Sequence, residues 1–465
     1  MDSTISIASA AHSGPPMLRS RPLIGMWPEM RRDTLGLLAR AAELGDIGGF
    51  QLGPRTAAVV SAPEPIHDIL IGHPQDFEKG RFLLRVLRPV LGDGLLVSEG
   101  DLHTRQRRLI APTLGARRIR RYVDWIVQEA DRTVRTWADG SSIEVLGEVN
   151  ALAMNIIGRI LFGTTMRDES RLAEAVTTAF EWEMNALTSP LVMPPAVPTP
   201  GNRRMRAARG YVRTRIQQLI DERRGDDDSL LARLATATYP DGTRMSSDQL
   251  LDETLTLWGA AHETSADAQA WTIYLLAKHP DVLAKVTAEV DDVLGDRDLG
   301  FEDLAKLPLS LQVFKEALRL YPPAAAMVRV ARHDTIIGSC RVRAGTILFI
   351  CPYTLHRNPA VFPDPEIFRP DRFSPEREPE LPKQGFLPFG TGGYGCVGNH
   401  LALMEGQALT ATLAQRIRFH LPPATAAVPE LLVNLRPAAP LTARISHRRR
   451  PPPPCDEQAP RQRSY

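Results

Sequence analysis

Apolar residues recur every three to four positions through most of the chain, the spacing that places them on one face of an α-helix. Capping residues, glycine or proline interrupt the pattern where helices are expected to begin and end. The longest predicted helices cover 117–138, 145–162, 203–224, 247–294 with a break near Pro280, 308–320 and 398–418. The chain is therefore predicted to be mainly helical.

Strand-like patterns are confined to two regions. An early β-hairpin is predicted over 48–62, which contains GGFQLGP and TAAVVSA, and a second β region over 335–353. A proline-rich coil follows from Asn358 to Pro388. No internal repeat and no linker divides the chain, so the predicted fold class is predominantly α with a minor β part.

The two ends of the chain lack these patterns. The last residues read HRRRPPPPCDEQAPRQRSY, which is rich in proline and charge and nearly without apolar side chains. Such a composition cannot bury enough apolar surface to fold. We predict a flexible N-terminal segment over 1–20, a single folded domain over 21–446 and a disordered tail over 447–465.

Composition narrows the class of protein. With 465 residues, 43% of them hydrophobic, the chain can bury a large core, and its net charge of +2 gives no argument for nucleic-acid binding. Only six of the 56 basic residues are lysine, a bias that suggests a GC-rich bacterial genome. The four cysteines lack the spacing of a metal site or a disulfide framework, which favours a reducing cytoplasm.

The N-terminal sequence has neither an apolar run of ~20 residues nor the basic-then-apolar order of a signal peptide. We therefore expect a cytoplasmic protein with no membrane anchor.

The stretch FLPFGTGGYGCVGNHLA, residues 386–402, is the strongest chemical signal. Its glycines allow the backbone to approach a large planar ligand closely. Cys396 is expected where backbone N–H groups and the start of the next helix converge, and both favour a thiolate, the form that binds iron. The alternative is a buried structural thiol, the commoner fate of a single cysteine.

A second signal lies in the predicted helix over 251–279. Small residues precede Glu263 and Thr264, and the Thr264 hydroxyl can donate to the carbonyl of Ala260, which would bend the helix and open a pocket. The alternative is an ordinary amphipathic helix whose glutamate is solvated.

Two further helices carry charged residues at helical spacing. Glu316 and Arg319 are three residues apart, as in a surface ion pair, and His103 and Arg107 are four apart, as on a solvated basic helix.

Together these stretches resemble the cytochrome P450 family, in the family's order and spacing over residues 21–446. In the family's haem loop, Phe-Gly-x-Gly-x-Arg-x-Cys-x-Gly, this chain matches at Phe389, Gly390, Gly392, Cys396 and Gly398. Tyr394 stands where the family has Arg or His, and Ala261 stands where Gly is usual. The resemblance implies a cytochrome P450 fold that binds haem b, with Cys396 as the iron ligand.

The resemblance also implies roles for the other residues. Glu263 and Thr264 would guide protons during oxygen activation. The buried network that supports the haem loop would comprise Glu316, Arg319 and Arg372. The haem would also be contacted by His103, Arg107, Arg329, Tyr394, Phe389, Gly390 and Gly398, the first three as propionate donors and Tyr394 through one neutral hydrogen bond.

The substrate is expected to be hydrophobic. The presumed contacts are the loop around Phe82 to Leu87, the helix face near Trp258 and Ala261, and an apolar segment over 187–201 that holds five prolines. This last segment is either a packed lid or part of the substrate channel. A terpenoid is the first choice of substrate, and a fatty acid or polyketide anchored by Arg85 is the alternative.

The implied activity is hydroxylation or epoxidation with dioxygen and electrons from a separate ferredoxin and ferredoxin reductase. A basic stretch suits an acidic ferredoxin, although a solvated face explains the same charges: Arg105, Arg108, Arg117, Arg118, Arg120 and Arg121. The departures at Tyr394 and Ala261 leave open a peroxygenase, an isomerase or a haem-thiolate binder without oxygenase activity.

Overall fold

The computed structural model describes residues 13–167, 169–187, 189, 193–222 and 229–448. The helices of this part are α1 (Trp27–Arg32), α2 (Thr34–Ala42), α3 (Pro63–His67), α4 (Arg81–Leu91), α5 (Gly100–Ile110), α6 (Ala116–Ile119), α7 (Tyr122–Thr136), α8 (Val145–Phe162), α9 (Ser170–Leu187), α10 (Pro200–Glu222), α11 (Leu230–Thr236), α12 (Ser247–Lys278), α13 (Pro280–Leu294), α14 (Pro308–Leu320), α15 (Pro352–Leu355) and α16 (Asn399–Arg416).

The strands are short and lie in separate sheets. They are β1 (Ile47–Leu52), β2 (Arg55–Val60), β3 (Phe77–Glu78), β4 (Ser142–Glu144), β5 (Met327–Ala331), β6 (Thr335–Ile337), β7 (Cys340–Val342), β8 (Ile347–Ile350), β9 (Ile417–His420), β10 (Pro429–Leu431), β11 (Leu435–Pro437) and β12 (Thr442–His447). The largest sheet has the order β1-β2-β8-β5-β3, with β2 and β8 parallel and the other neighbours antiparallel. The predicted fold class, predominantly α with a minor β part, is confirmed.

Several predicted helices agree closely with the structure. The predictions over 145–162 and 308–320 match α8 and α14 to the residue, and the break near Pro280 separates α12 from α13. Proline is tolerated as the first residue of a helix, where its missing N–H has no partner to lose. Residues 223 and 224 of the predicted helix over 203–224 lie outside the described residues.

Two predictions about irregular structure were wrong. The expected loop at Phe82 to Leu87 belongs to helix α4, because Arg81, Arg85 and Arg88 share an exposed face while Val86 is buried. Pro89 lies inside this helix, where it has no N–H to donate to the carbonyl of Arg85. The strands after residue 416 were not predicted, since each is only three to six residues long.

The folded part extends slightly beyond the predicted 21–446. Near the N-terminus, the backbone of Pro16 and Leu18 pairs with Gly49 of β1. Near the C-terminus, His447 lies in β12, and Arg448 pairs with Asp291 at 2.8 Å. Residues 1–12 and 449–465 lie outside the described residues.

Helix α12 runs through the middle of the molecule and packs against α8, α10, α14 and α16. It shares the largest apolar cluster of the protein with these helices. Helix α8 is the one described helix long and apolar enough to cross a membrane, with a mean hydropathy of 1.4, but 67% of it is buried inside the protein. Its apolar character is therefore explained by its packing against α12.

Candidate active site

Cys396 lies in the loop that leads into α16. Its backbone N–H donates to the carbonyl of Phe389 at 2.8 Å, and the backbone N–H of Gly398 donates to its sulfur. Gly398 is also the N-cap of α16. The sulfur therefore lies beside backbone N–H groups at the start of a helix, where negative charge is stabilised.

The Cys396 side chain is accessible although protein atoms surround it. It is exposed, yet burial raises the pKa of its thiol above the ordinary value, against the opposing effects of the Gly398 N–H and the Arg107 guanidinium. A group that is both accessible and desolvated lines a concave surface. Burial therefore opposes the thiolate, and a bound metal cation would favour it.

Two glycines let the cysteine loop pack against its neighbours. Gly392 has φ +68°, and a Cβ on it would lie 2.2 Å from the carbonyl oxygen of Leu70. Gly390 has φ +63°, and a Cβ there would lie 3.1 Å from the sulfur of Met327. Any other residue would have to displace the loop, so these glycines fix its position.

The middle of α12 borders a concave space as well. Ala260 is exposed although the neighbouring Trp258 and His262 are buried. The Thr264 hydroxyl donates to the carbonyl of Ala260 at 2.7 Å, which is the hydrogen bond expected from the sequence, with the Ala261 carbonyl 3.3 Å away. The hydroxyl oxygen is thereby held beside an accessible backbone turn.

Glu263 precedes Thr264 and is set up to exchange protons at neutral pH. Burial raises the pKa of its carboxyl to about 7, while the Arg436 guanidinium opposes this rise. The side-chain amide of Asn434 donates to Glu263 Oε2 at 3.4 Å. The Arg436 side chain is 43% exposed and acts on Glu263 through its charge.

A cluster of basic side chains surrounds the Tyr394 ring. The Lys79 Nζ lies 4.9 Å and the Arg329 Cζ 5.0 Å from the ring centroid, and the His103 ring centroid lies 4.2 Å away. Lys79, His103 and Arg329 are all buried. Cation–π contacts of this kind hold the two charged groups against the ring.

Lys79 and Arg329 form no close ion pair in the described part of the chain, although the Glu99 carboxylate is near enough to oppose the lowering of both pKa values by burial. Lys79 Nζ donates to the carbonyls of Leu96 and Ser98, at 2.7 and 2.8 Å, and Arg329 donates to that of Val328 at 2.8 Å. Burial, and then the Arg329 charge, lower the pKa of Lys79 to about 7, so a ligand that brings carboxylates would favour its charged form.

The predicted propionate donors, His103, Arg107 and Arg329, differ in their contacts and charge. Arg107 donates to the carbonyl of Gly395 at 2.5 Å and so supports the cysteine loop. The pKa of His103 is lowered to about 4, first by burial and then by Lys79, Arg107 and Arg329. His103 is therefore neutral at pH 7 and can donate a hydrogen bond but no charge.

Glu316, Arg319 and Arg372 form a buried network. Arg319 makes two hydrogen bonds to the Glu316 carboxylate, at 2.7 and 2.8 Å, and donates to the carbonyls of His356, Pro365 and Ile367. The Arg372 Nε lies 3.4 Å from Glu316 Oε1. The surface ion pair considered for the first two residues is excluded, since both side chains are fully buried.

His356 links this network to the cysteine loop. Its Nε2 accepts from the backbone N–H of Leu387 at 2.9 Å, so its Nδ1 carries the proton and donates to the carbonyl of Arg319 at 3.1 Å. Full burial and the Arg319 charge lower the pKa of His356 to about 3, which keeps the ring neutral. Phe389 packs beside this path, against Ala268 and Phe314.

The described part of the proline-rich segment is held down by Asn202 at the start of α10. The Asn202 amide donates to the carbonyls of Pro194 and Val197, both at 2.8 Å, and accepts from the Trp182 indole at 2.8 Å. Residues 188 and 190–192 of the predicted lid lie outside the described residues.

These features fit a haem with its two propionates. The concave surface at Cys396, the close-packed glycine loop and the buried basic side chains would supply a ligand atom, a cradle and a carboxylate site. Lys79 was missed by the sequence analysis, and its only signal was that lysine is rare in this chain. His356 and Glu183, a buried carboxyl discussed below, had no sequence signal.

Comparison with known proteins agrees with the site. A sequence model of the family described as Cytochrome P450 matches residues 15–438. The chain is 35% identical to cyclooctat-9-en-7-ol 5-monooxygenase of Streptomyces melanosporofaciens, over 87% of this chain and 89% of that protein. It is 33% identical to cyclooctatin synthase of the same organism, over 91% and 92% of the two chains. It is also 31% identical to pentalenene oxygenase of Streptomyces avermitilis, over 86% and 90%.

The match spans most of the chain and includes both the cysteine loop and the buried network. The protein therefore belongs to the cytochrome P450 family, as a monooxygenase that uses haem b.

Proposed function

We propose that this enzyme hydroxylates or epoxidises a terpenoid intermediate of secondary metabolism. The similarity to three bacterial enzymes named for cyclooctat-9-en-7-ol, cyclooctatin and pentalenene carries this proposal. The helix face around Trp258, Gly259 and Ala261, where a substrate would lie, is apolar and consistent with a largely hydrocarbon ligand.

The roles of the site residues are part of the proposal. Cys396 would ligate the iron, and Lys79, His103 and Arg329 would face the propionates. When bound, haem supplies dioxygen activation, in which one oxygen atom enters the substrate and the other is reduced to water. Glu263 and Thr264 would supply the protons for that reduction.

The side chains on α12 account for proton supply. With a pKa of about 7, Glu263 can both hold and release a proton near neutral pH, while the Asn434 amide orients its carboxyl. The Thr264 hydroxyl hydrogen is engaged by the Ala260 carbonyl, which leaves the oxygen lone pairs free to accept a hydrogen bond. To relay a proton, the hydroxyl would accept one on its oxygen, rotate away from Ala260 and release its own hydrogen toward the concave space.

A ligand screen tests the substrate class. Displacement of water from the iron shifts the Soret band, so terpene hydrocarbons, terpene alcohols and fatty acids can be compared directly. We expect terpenoids to shift the band. A shift by fatty acids alone, abolished by Arg85→Ala, would contradict the proposal.

A second test addresses the reaction type. Product formation should require both dioxygen and an electron donor, and one labelled oxygen atom from ¹⁸O₂ should enter the product. Turnover supported by hydrogen peroxide but not by dioxygen with an electron donor would favour the peroxygenase alternative, and conversion without any oxidant would favour the isomerase.

The electrons are proposed to come from a ferredoxin that is reduced by a separate ferredoxin reductase. In the basic stretch, Arg105 pairs with Asp241 at 2.9 Å and Arg120 pairs with Glu302. Arg108, Arg117 and Arg118 are exposed and have no ion pair within the described residues. These three charges are the ones left to steer an acidic partner.

Charge reversal tests the docking surface. We expect Arg117→Glu to slow haem reduction by an acidic ferredoxin about tenfold at low salt, with the difference shrinking at high salt. Arg206→Glu, at an exposed arginine of α10, is the matched control. Equal rates for the two variants would place the docking surface elsewhere.

A further inference from the structure

Glu183 on α9 is a buried carboxyl that the proposed mechanism does not use. The residue is 1% exposed, and its Oε1 has no contact with solvent and no hydrogen-bond partner. No hydrogen bond or ion pair to either carboxyl oxygen is found within the described residues. Burial of such a group without a partner costs free energy, so a bound molecule that supplies the partner would be favoured.

The carboxyl lies where α9 meets the active-site part of α12. One turn before it, Phe180 approaches α12 at Gly259, where a Cβ would lie 3.9 Å from the Phe180 ring. One turn after Gly259 comes Glu263, whose carboxyl is close enough to raise the pKa of Glu183 further. Glu183 therefore faces the segment of α12 that carries the proton-supplying residues.

The protonation state defines the chemistry of this group. Burial first, and the neighbouring Glu263 second, raise the pKa of Glu183 well above its ordinary value, which favours the protonated carboxyl. A neutral carboxyl offers one donor and acceptor oxygens. It suits a hydroxyl or carbonyl group and gives little attraction to a cation.

We infer that Glu183 binds a hydroxyl or carbonyl oxygen of the substrate, so that the enzyme acts on an already oxygenated terpenoid in preference to a hydrocarbon. This inference rests on the proposed function and narrows its substrate class. A reaction that leaves oxygen on the carbon skeleton must then precede this step. The bound oxygen would also fix which carbon atoms of the substrate approach the haem.

Spectral binding assays on the haem-loaded enzyme test the inference without relying on turnover. The probes are a cyclic terpene alcohol and its parent hydrocarbon, each titrated while the Soret shift is followed. For the unmodified enzyme we expect the alcohol to bind about ten times more tightly. Glu183→Leu should abolish this preference by weakening alcohol binding alone, whereas Glu183→Gln, which keeps both donor and acceptor atoms, should retain it.

Glu253→Gln provides the matched control. Glu253 is another fully buried carboxyl with a raised pKa, and it lies on α12 ten residues before Glu263. It should bind both probes as the unmodified enzyme does. The inference is wrong if Glu183→Leu keeps the preference for the alcohol, or if Glu183→Gln loses it while its haem content is normal. The inference is also wrong if Glu183→Leu weakens both probes equally.

If the proposed terpenoid substrate class is wrong, the result is different: neither terpene shifts the Soret band of the unmodified enzyme. An n-alkanol and its n-alkane then replace the terpene pair. The Glu183 variants are then tested for a preference for the alkanol over the alkane, which decides the role of Glu183 for any class of hydrophobic substrate.

Discussion

At the scale of single residues, Lys79 changes how the replacement at position 394 is understood. Tyr394 supplies no positive charge of its own, but its ring holds Lys79 and Arg329 in place. Lys79 lies between β3 and α4 and Arg329 lies in β5, so two segments distant from the cysteine loop in sequence place basic groups at this ring.

Replacement of Lys79 should weaken haem retention. Lys79→Met removes a buried cation that faces the proposed propionate site, and a charged hydrogen bond typically contributes about 1.5–3 kcal/mol. We expect haem transfer to apomyoglobin to be at least about tenfold faster than in the unmodified enzyme. Lys383→Met, at an exposed lysine, should leave the rate unchanged. Equal rates for both variants would show that Lys79 does not contribute to haem binding.

Glu263 should impose a pH dependence on turnover. Its pKa of about 7 means that the carboxyl is mainly protonated below pH 7 and ionised above it, so proton donation weakens as pH rises through 7. We expect Glu263→Gln to reduce the rate of product formation by about a hundredfold, to release more hydrogen peroxide per electron pair and to lack the decline above pH 7.

The control for this prediction is Asp248→Asn, at an exposed position on the same helix. It should keep both the rate and the pH profile of the unmodified enzyme. A Glu263→Gln variant with the normal profile would assign the titration to another group, of which Asp267 and Glu183 are the nearest candidates.

At the scale of secondary-structure elements, the sequence predicts the long helices well because their apolar spacing persists over several turns. Helices α8 and α14 illustrate this agreement. Helix α4 was misjudged because arginine and proline interrupt its short apolar pattern, and β10 and β11 were missed because three residues carry too little periodic signal.

The residues of the candidate site divide in the same way, into those that the sequence predicts and those that it does not. Cys396, Glu263 and Arg319 could be selected because each lies in a local motif of the sequence. Lys79 and Glu183 could not, because each gains its surroundings only from tertiary packing. His356 likewise acquires its bridging position from a contact with Leu387 that is 31 residues away in sequence.

The contact between α14 and the coil before the cysteine loop should depend on Arg319. Arg319→Leu leaves the Glu316 carboxylate buried without its main partner, which is expected to lower the free energy of unfolding by about 3–5 kcal/mol. Urea unfolding and the CO-difference spectrum measure the effect. Arg341→Leu, which breaks an exposed pair with Asp334, should change stability by less than about 1 kcal/mol.

At the scale of the whole molecule, strand β12 ties the end of the described chain to its first third. It is the central strand of a three-stranded sheet, paired with β4 on one side and β9 on the other. Ala443 and Ile445 of this strand are fully buried in a cluster that includes Val134 and Ile273. The sheet is therefore part of the core.

Truncation tests this dependence. A chain that ends at Arg448 should bind haem and unfold at nearly the same temperature as the full chain, because it keeps β12 and its ion pair to Asp291. A chain that ends at Leu441 should lose the strand and yield little haem protein. Normal haem content in the shorter chain would show that the sheet is dispensable.

The central position of β12 also sets the order of events during synthesis. Its partner β4 leaves the ribosome about 300 residues earlier and must wait for residues 442–447 before the sheet can close. Cys396 likewise appears long after Lys79 and His103. Haem capture through Cys396 therefore cannot precede the synthesis of most of the chain, and a nascent chain that stalls before β12 exposes the apolar surface of α8 and α12 to chaperones or to aggregation.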